Sequence, residues 1–215
     1  MINTISYLEQ KKRWPAEGRH ILAQYDDQTI IVYQAYSPAI GQFAKNHGYF
    51  GGDFSFQRMS WIKPGFLWMM YRSGWGMKKG QEIVLAIRIK REFFDGILEQ
   101  AVPSTHDTDL YAERERWKRE LSTSEVRIQW DPDHHPDGKK AARRAIQLGL
   151  RGSVLKTYSK DAIVQIIDIS KFVAKQRTHA LFGNYKNLLI PQEEVYVPDD
   201  PLIKKKLKLS SSKFI

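Results

Sequence analysis

The chain has 215 residues and no cysteine, and its 34 Lys and Arg against 24 Asp and Glu give a formal net charge of +10. This length fits one ordinary domain, and the lack of cysteine excludes disulfides, thiolate metal sites and cysteine nucleophiles. The positive charge favours a polyanionic partner or substrate.

The first half of the chain is predicted to contain strands and short helices after an N-terminal arm of residues 1–18. Residues 29–35 are rich in β-branched and aromatic side chains, which predicts a buried strand. A short helix is expected from Pro38 to Lys45, because proline is favoured in the first helical turn. Residues 83–90 form the clearest strand prediction, because alternate residues from Ile83 to Ile89 give one face that is apolar throughout.

The second half alternates irregularly between helical and strand patterns. Helices are predicted over 93–101, 110–121, 153–158 and 171–182, and strand-like or apolar stretches over 126–130, 146–150 and 162–169. This order predicts an α+β fold, a single compact domain over residues 19–200 with a twisted mixed or antiparallel sheet flanked by helices. Residues 201–215 contain five lysines and no acid, which indicates a lysine-rich tail.

The most informative segment runs from Arg58 to Arg91 and has eight basic residues but a single acid, Glu82. Tryptophan, phenylalanine and tyrosine residues are interleaved with the cations. Nucleotides and single-stranded nucleic acids need such a combination, because phosphates require neutralisation and bases stack on aromatic rings. The alternative is that the aromatic residues pack in the core while the basic side chains extend to solvent.

Several blocks of the sequence resemble a known family in their order and spacing. They are TIIVYQAYSPAIGQFA, RMSWIKPGFLWMMYRSGWGMKKGQEIVLAIRIKREFF, VRIQWDPDH, RAIQLGLRG and LLIPQEEVY. These blocks are similar to those of domain of unknown function 4291, and the resemblance extends from about Arg19 to Tyr196. It implies a single compact domain, and it implies no particular reaction.

The residue types fit one reaction class best, glycosyl transfer from NAD. Cleavage of the nicotinamide–ribose bond develops an oxocarbenium-like cation, so a site needs basic groups for the pyrophosphate, an aromatic ring and a carboxylate. We predict Glu193 as the catalytic carboxylate and Tyr36 as the stacking ring. Tyr33 and Tyr36 have an odd spacing on one strand and therefore lie on opposite faces, which leaves one of them for the pocket.

The predicted cofactor is NAD, held by basic and aromatic side chains. The predicted cofactor-binding residues are Arg19, Arg58, Trp61, Lys63, Trp68 and Arg72. The order of these roles resembles that of ADP-ribosyltransferases. The substrate of such an enzyme is expected to be nucleic acid or protein, and nucleic acid or a nucleotide is the expected partner.

Three other functions remain open from the sequence. A non-catalytic RNA- or DNA-binding module would use the same basic surface and the lysine tail. A metal-dependent nuclease would use scattered acids such as Asp131 and Asp133 beside His134 and His135, although no HExxH or EF-hand pattern is present. No metal site is therefore predicted, and a structural or partner-binding role is the third alternative.

The sequence also predicts where in the cell the protein is located. The longest run of bulky apolar residues, Phe66 to Tyr71, is far too short to span a bilayer, and residues 1–14 lack a signal-peptide apolar segment. A cytoplasmic protein without a membrane partner is expected. The oligomeric state is not predicted.

Overall fold

The computed structural model describes residues 2–211, which contain twelve strands and eight helices in irregular order. The strands are β1 (Thr4–Ser6), β2 (Gly18–Arg19), β3 (Ile21–Ala23), β4 (Thr29–Tyr36), β5 (Ser60–Ile62), β6 (Ile83–Lys90), β7 (Val102–Pro103), β8 (Val126–His134), β9 (Lys140–Leu150), β10 (Ile163–Asp168), β11 (Leu189–Pro191) and β12 (Glu194–Tyr196). The helices are α1 (Tyr7–Arg13), α2 (Pro38–His47), α3 (Phe66–Ser73), α4 (Arg91–Gln100), α5 (Arg114–Thr123), α6 (Gly152–Ser159), α7 (Ser170–Leu181) and α8 (Pro201–Leu207). The predicted α+β class is confirmed.

The centre of the fold is an antiparallel sheet in the order β10-β6-β4. Its middle strand β6 is covered on both faces, because Leu85 and Ile87 pack in one hydrophobic cluster while Val84 and Ala86 pack in a second. Near the end of the strand, Arg88 pairs with Asp26 at 3.1 Å. The alternation that predicted this strand therefore separates two cores, and polar side chains appear only towards its C-terminal end.

A second sheet follows the order β2-β9-β8-β7, with β5 also paired to β9. The β8–β9 pair is antiparallel, whereas β2 and β7 join in parallel, so the sheet is mixed. Strand β8 continues to His134, beyond the predicted end at residue 130, because its pairing with β9 extends through Pro132 with a bulge before His134. Helices flank this curled sheet.

Helix α3 was not predicted from the sequence. Phe66, Leu67 and Met70 are all buried, so the helix lacks the exposed polar face that gives a 3.6-residue hydrophobic period. Glycines bound it at both ends, and Gly74 adopts a left-handed φ of 58° that terminates the helix. This helix carries Arg72 towards the candidate site.

The two ends of the chain are folded onto the domain. The predicted N-terminal arm contains β1, which pairs with β11, and α1, whose Tyr7 and Gln10 are buried. The predicted tail begins with α8, which buries Ile203 and Leu207, so this part is a packed helix. Met1 and residues 212–215, which include the tail's Lys213, lie outside the described residues. No helix within residues 2–211 combines the length and hydropathy of a membrane span.

Candidate functional site

A cavity of about 570 Å³ lies where the end of β4 meets β5, α3 and the loop before β5. We call it the Lys63 cavity. Its lining includes Gln34, Tyr36, Asp53, Arg58, Ser60, Trp61, Lys63, Met69, Arg72, Lys79, Gln129 and Gln147. The volume falls within the range of about 300–1,000 Å³ that is usual for small-molecule sites.

Five of the residues predicted from the sequence line this cavity: Tyr36, Arg58, Trp61, Lys63 and Arg72. Tyr36 is the last residue of β4, Trp61 is the middle residue of β5, and Arg72 lies in the last turn of α3. Lys63 follows β5 directly and is bridged to β4, since its backbone N–H and C=O pair with those of Tyr33. Elements distant in sequence thus bring these side chains together.

A hydrogen-bond network forms one wall of the Lys63 cavity around Gln34. The Gln34 Nε2 donates to Ser60 Oγ at 2.9 Å and to the Trp61 carbonyl at 3.2 Å. The Gln34 Oε1 accepts from the Tyr158 hydroxyl at 2.7 Å, and Tyr36 Oη lies 2.8 Å from Ser60 Oγ. Satisfied buried amides of this kind hold neighbouring side chains in fixed positions.

The cations of the cavity have no acidic partner. Arg58 and Arg72 are exposed, and within residues 2–211 neither they nor Lys63 lies within 4.0 Å of a carboxylate oxygen. Lys63 is only 4% exposed, and its Nζ lies 3.5 Å from the Trp61 carbonyl oxygen. Burial, together with the positive charge of Arg72, lowers the pKa of Lys63 to about 7, and the negative charge of Asp131 opposes the shift.

Asp131 is a carboxylate of this region that the sequence did not assign to the site. Its Oδ1 accepts from Gln129 Nε2 and its Oδ2 from Gln147 Nε2, both at 2.8 Å. Gln129 and Gln147 face each other across the β8–β9 pair. A glutamine in the apolar run of β4 and two more in β8 and β9 are the sequence signals for this polar region.

Trp68, a predicted cofactor-binding residue, lies outside the Lys63 cavity. On α3, Met69 and Arg72 share the face that lines the cavity, because residues three apart are neighbours on a helix. Trp68 and Tyr71 share another face and stack on His134, with ring centroids 5.2 and 3.5 Å away. Trp68 is 6% exposed and packs in the interior.

Glu193 also lies outside the Lys63 cavity. It is 2% exposed, and its Oε1 accepts from the Phe66 backbone N–H at 2.7 Å, which binds the first turn of α3. Its own carbonyl accepts from Gln10 Nε2 at 2.8 Å and from Trp14 Nε1 at 3.2 Å. Burial raises the pKa of Glu193 to about 8. The contacts are those of a residue that joins α1, α3 and the segment before β12.

Arg19 lines a second cavity of about 240 Å³, beside Trp130, Arg144 and Lys206. We call it the Trp130 cavity. The Arg19 guanidinium carbon lies 6.0 Å from the centroid of the Trp130 ring, which is a cation–π distance. The sequence therefore predicted one set of phosphate-binding arginines, and the structure divides it between two cavities.

Within residues 2–211, no three His, Asp or Glu side chains cluster as a metal site would require. The carboxylates of Asp131 and Asp133 bind other side chains. Asp131 accepts hydrogen bonds from two glutamines, and Asp133 pairs with Arg143 at 2.6 Å.

The sequence profile of one family matches residues 20–196, most of the chain. The chain therefore belongs to the family described as Domain of unknown function (DUF4291). A search of curated proteins gave no match. The resemblance of the sequence blocks to this family is thus confirmed.

Proposed function

We propose that the Lys63 cavity binds a nucleotide, with its phosphate among Arg58, Lys63 and Arg72 and its base beside Trp61. A single observation carries this proposal. Four cations, Arg58, Lys63, Arg72 and Lys79, line one cavity, and within residues 2–211 none of them is paired with an acid. Four positive charges beside a single lining acid, Asp53, favour an anionic ligand.

The chemistry of each cation suits a phosphate. The guanidinium groups of Arg58 and Arg72 can each donate two parallel hydrogen bonds to phosphate oxygens. Lys63 supplies a point charge from the interior of the cavity, where its ammonium form is costly without a ligand. A bound phosphate offsets this cost, because an opposite charge nearby favours the protonated amine.

The aromatic and polar groups of the cavity suit a nucleoside. Trp61 is half-buried and lines the cavity, and a base stacked on an indole ring gains about 1–3 kcal/mol. Ser60 and Tyr36, which are 2.8 Å apart, offer hydroxyl groups for a ribose or a base edge. The combination fits a nucleotide better than inorganic phosphate alone.

NAD belongs to this ligand class, and transfer of its ADP-ribosyl group stays part of the proposal as a reaction to be tested. Glu193 is an unsuitable carboxylate for that step, since it is buried against Phe66 outside the Lys63 cavity. Asp131 is the carboxylate whose charge acts on Lys63. Incubation with NAD labelled in its adenylate half, together with RNA, DNA or protein, measures the reaction directly.

The binding test uses isothermal titration calorimetry with ADP and NAD. We expect wild-type protein to bind both, and Arg72→Gln to bind at least tenfold more weakly because a charge-assisted hydrogen bond is removed. Arg13→Gln is the matched control, since Arg13 is exposed on α1 and does not line the cavity. Absence of binding at millimolar ADP and NAD, or equal affinity of the two variants, would contradict the proposal.

A further inference from the structure

The Trp130 cavity lies on the opposite face of the β8–β9 pair from the Lys63 cavity. Gln147 lines the Lys63 cavity and Arg144 lines the Trp130 cavity, and the two residues are three positions apart on β9. Side chains alternate between the two faces of a strand, so this odd spacing directs them to opposite faces. The proposed nucleotide site therefore does not account for the cations of the Trp130 cavity.

Two arginines stand side by side in the wall of the Trp130 cavity. Strands β2 and β9 pair in parallel with Arg19 opposite Arg144, and both residues line the cavity together with Lys206. Within the described part of the chain, none of these three cations has a carboxylate oxygen within 4.0 Å. Like charges opposite each other on paired strands are destabilising, and an anion bound between them offsets the repulsion.

The acidic residue in the lining of the Trp130 cavity is held by a lysine outside that lining. Both carboxylate oxygens of Asp107 accept from Lys208 Nζ, at 2.6 and 2.7 Å. The pKa of Asp107 is lowered, first of all by this hydrogen bond, so the carboxylate is ionised and bound to Lys208 at neutral pH. Asp107 therefore leaves the positive charges of Arg19 and Arg144 largely uncompensated.

The cavity also has an aromatic wall against which Arg19 is positioned. The Arg19 guanidinium carbon lies 6.0 Å from the centroid of the Trp130 ring. The Arg19 backbone is held by Ser210, because its N–H donates to Ser210 Oγ and its carbonyl accepts from the Ser210 N–H, both at 3.0 Å. A cation and a ring that are held in place reduce the entropy lost on binding. The apolar part of the lining includes Pro103, Leu110, Ile128 and Leu207.

The size and charge of the cavity select the ligand. Its volume of about 240 Å³ lies below the range of about 300–1,000 Å³ that is usual for drug-sized ligands, which suits one ring with one anionic group. Three cations without an acidic partner favour a dianion over a single negative charge, and guanidinium groups match phosphate oxygens in pairs.

We propose that the Trp130 cavity is a second anion site that binds a phosphate monoester of a single aromatic ring. The phosphate lies between Arg19 and Arg144, and the ring lies beside Trp130 among the apolar side chains. A free aryl phosphate and the side chain of a phosphotyrosine share this chemistry. The site is independent of the nucleotide in the Lys63 cavity.

The experiment uses phenyl phosphate as the probe and isothermal titration calorimetry as the measurement. Arg72→Gln is the background, because this substitution weakens any binding of a phosphate in the Lys63 cavity. We expect this variant to bind phenyl phosphate, and the addition of Arg144→Gln or Arg19→Gln to weaken binding at least fivefold. Addition of Arg13→Gln, the control, should change it less than twofold.

Two results of this titration would overturn the inference. One is the absence of binding to folded Arg72→Gln at millimolar phenyl phosphate, and the other is binding that ignores both Arg19 and Arg144. Arg144 is exposed, so its substitution is expected to leave the fold intact, and thermal unfolding checks each variant.

Related anions test the ligand class. Phenyl phosphate is expected to bind at least fivefold more tightly than inorganic phosphate, which lacks the ring, and than benzoate, which has a single charge. Equal affinity for either anion would overturn the assignment. A tyrosine-phosphorylated peptide distinguishes the two sources: tighter binding than phenyl phosphate supports a phosphotyrosine side chain, and equal or weaker binding supports a free aryl phosphate.

Lys208 provides a test that does not alter the lining of the cavity. Lys208→Met releases Asp107 beside Arg19, so phenyl phosphate should bind at least threefold more weakly. Asp107→Asn in the same protein removes the released carboxylate and should restore the affinity. Failure of the double variant to recover would overturn the inference, because it would show that Lys208 itself holds the phosphate.

The outcomes separate this inference from the proposed function. ADP affinity depends on Arg72 and is expected to stay within twofold in Arg144→Gln. If ADP does not bind, the proposed function fails while the phenyl phosphate titrations still decide the second site. If phenyl phosphate ignores Arg19 and Arg144 while ADP binding depends on Arg72, the second site fails alone.

Discussion

Lys63 combines burial with a position in the candidate site. Burial of Lys63, which is 4% exposed, lowers its pKa to about 7, and a neighbouring anion favours the charged form of the amine. Perturbed groups of this kind concentrate at functional sites. The tryptophan-rich block predicted the residue from its position in the sequence, but its burial follows only from the pairing with β4.

The first prediction concerns the pH dependence of ADP binding. Because the folded-state pKa of Lys63 is about 7, the free amine loses its proton as the pH rises above 7, and binding of a phosphate then requires proton uptake. If the bound phosphate raises the Lys63 pKa by about one unit, affinity falls up to about tenfold between pH 6 and 9. Calorimetry across this range is the measurement.

The control for this prediction is Lys63→Met, which keeps the length of the side chain and removes the charge. Its ADP affinity is expected to be lower than that of wild type at pH 6. This affinity should also change less between pH 6 and 9. If the ADP affinities of wild type and Lys63→Met changed with pH in the same way, the pH dependence would come from another group.

The second prediction concerns Glu193 and stability. Its folded-state pKa of about 8 lies above the ordinary glutamate value of 4.5, so the folded state keeps a proton that the unfolded chain releases between those values. Wild-type stability is therefore expected to fall as the pH rises from 5 to 8, by about 3 kcal/mol from this residue. Glu193→Gln removes the titrating group and keeps an oxygen for the Phe66 N–H.

Urea unfolding at pH 5 and pH 8 tests the Glu193 prediction. Glu193→Gln should flatten the dependence and be more stable than wild type at pH 8, with ADP binding unchanged. Identical pH dependence in the two proteins would show that Glu193 ionises normally in the fold. A loss of ADP binding in folded Glu193→Gln would place the carboxylate in the site.

At the scale of elements, β5 and β9 set the position of Trp61. Gly149 lies opposite Trp61 on β9, and a Cβ there would come 2.5 Å from Met59 Sδ and 3.0 Å from Trp61 Cε2. The backbone at Gly149 is not in the left-handed region, so the crowding is the main effect of a methyl group. Because Gly149 has no side chain, the indole of Trp61 can lie beside the cavity.

The third prediction is that Gly149→Ala displaces Trp61 and weakens ADP binding by about threefold or more, since part of the stacking energy is lost. The emission wavelength of the intrinsic tryptophan fluorescence should shift when Trp61 is displaced. Gly96→Ala is the control: Gly96 lies in α4 with nothing within 4 Å of an added Cβ, so it should bind normally and gain up to about 1 kcal/mol. Unchanged fluorescence and affinity in Gly149→Ala would contradict the packing argument.

The fourth prediction concerns helix α8. Ile203 is 5% exposed and packs in the core, so Ile203→Ala is expected to lower the free energy of unfolding by about 2–4 kcal/mol. Leu202→Ala, at a neighbouring position that is 72% exposed, should change it by less than about 0.5 kcal/mol. Equal effects, measured by urea unfolding, would mean that the helix does not stabilise the domain.

Local patterns predicted the elements that have a clear period or a clear boundary. The alternation of β6 and the proline at the start of α2 located both elements within two residues. Helix α3 was missed because it is apolar around most of its circumference, and β8 was predicted too short because its second half depends on pairing with β9. Tertiary contacts decided both cases.

At the scale of the whole molecule, two regions are among those that contribute to the net charge of +10. Part of it lies in the two cavities, where cations stand without acidic partners. Part of it lies in the predicted tail, where Lys208 is bound to Asp107 and Asp109 and is therefore not available for phosphate. Removal of residues 201–215 would also remove the packed α8, so single lysine substitutions are the better probe of this region.

Five of the eight predicted site residues converge on the Lys63 cavity, and the reasons for the other three are physical. Trp68 and Arg72 are four positions apart, yet the exposed end of α3 brings Arg72 to the cavity while Trp68 packs on His134. Glu193 was assigned from its place near the C-terminus, and no sequence pattern revealed that it binds the first turn of α3. Arg19 is a basic residue beside an indole, but in the other cavity.

The central claim is that the Lys63 cavity holds the phosphate of a nucleotide. A crystal structure of the protein with ADP at saturating concentration tests it most directly. We expect phosphate density within hydrogen-bonding distance of Lys63 Nζ and of the Arg58 or Arg72 guanidinium, with adenine against Trp61. Density for ADP at another surface, with the Lys63 cavity filled only by solvent, would contradict it.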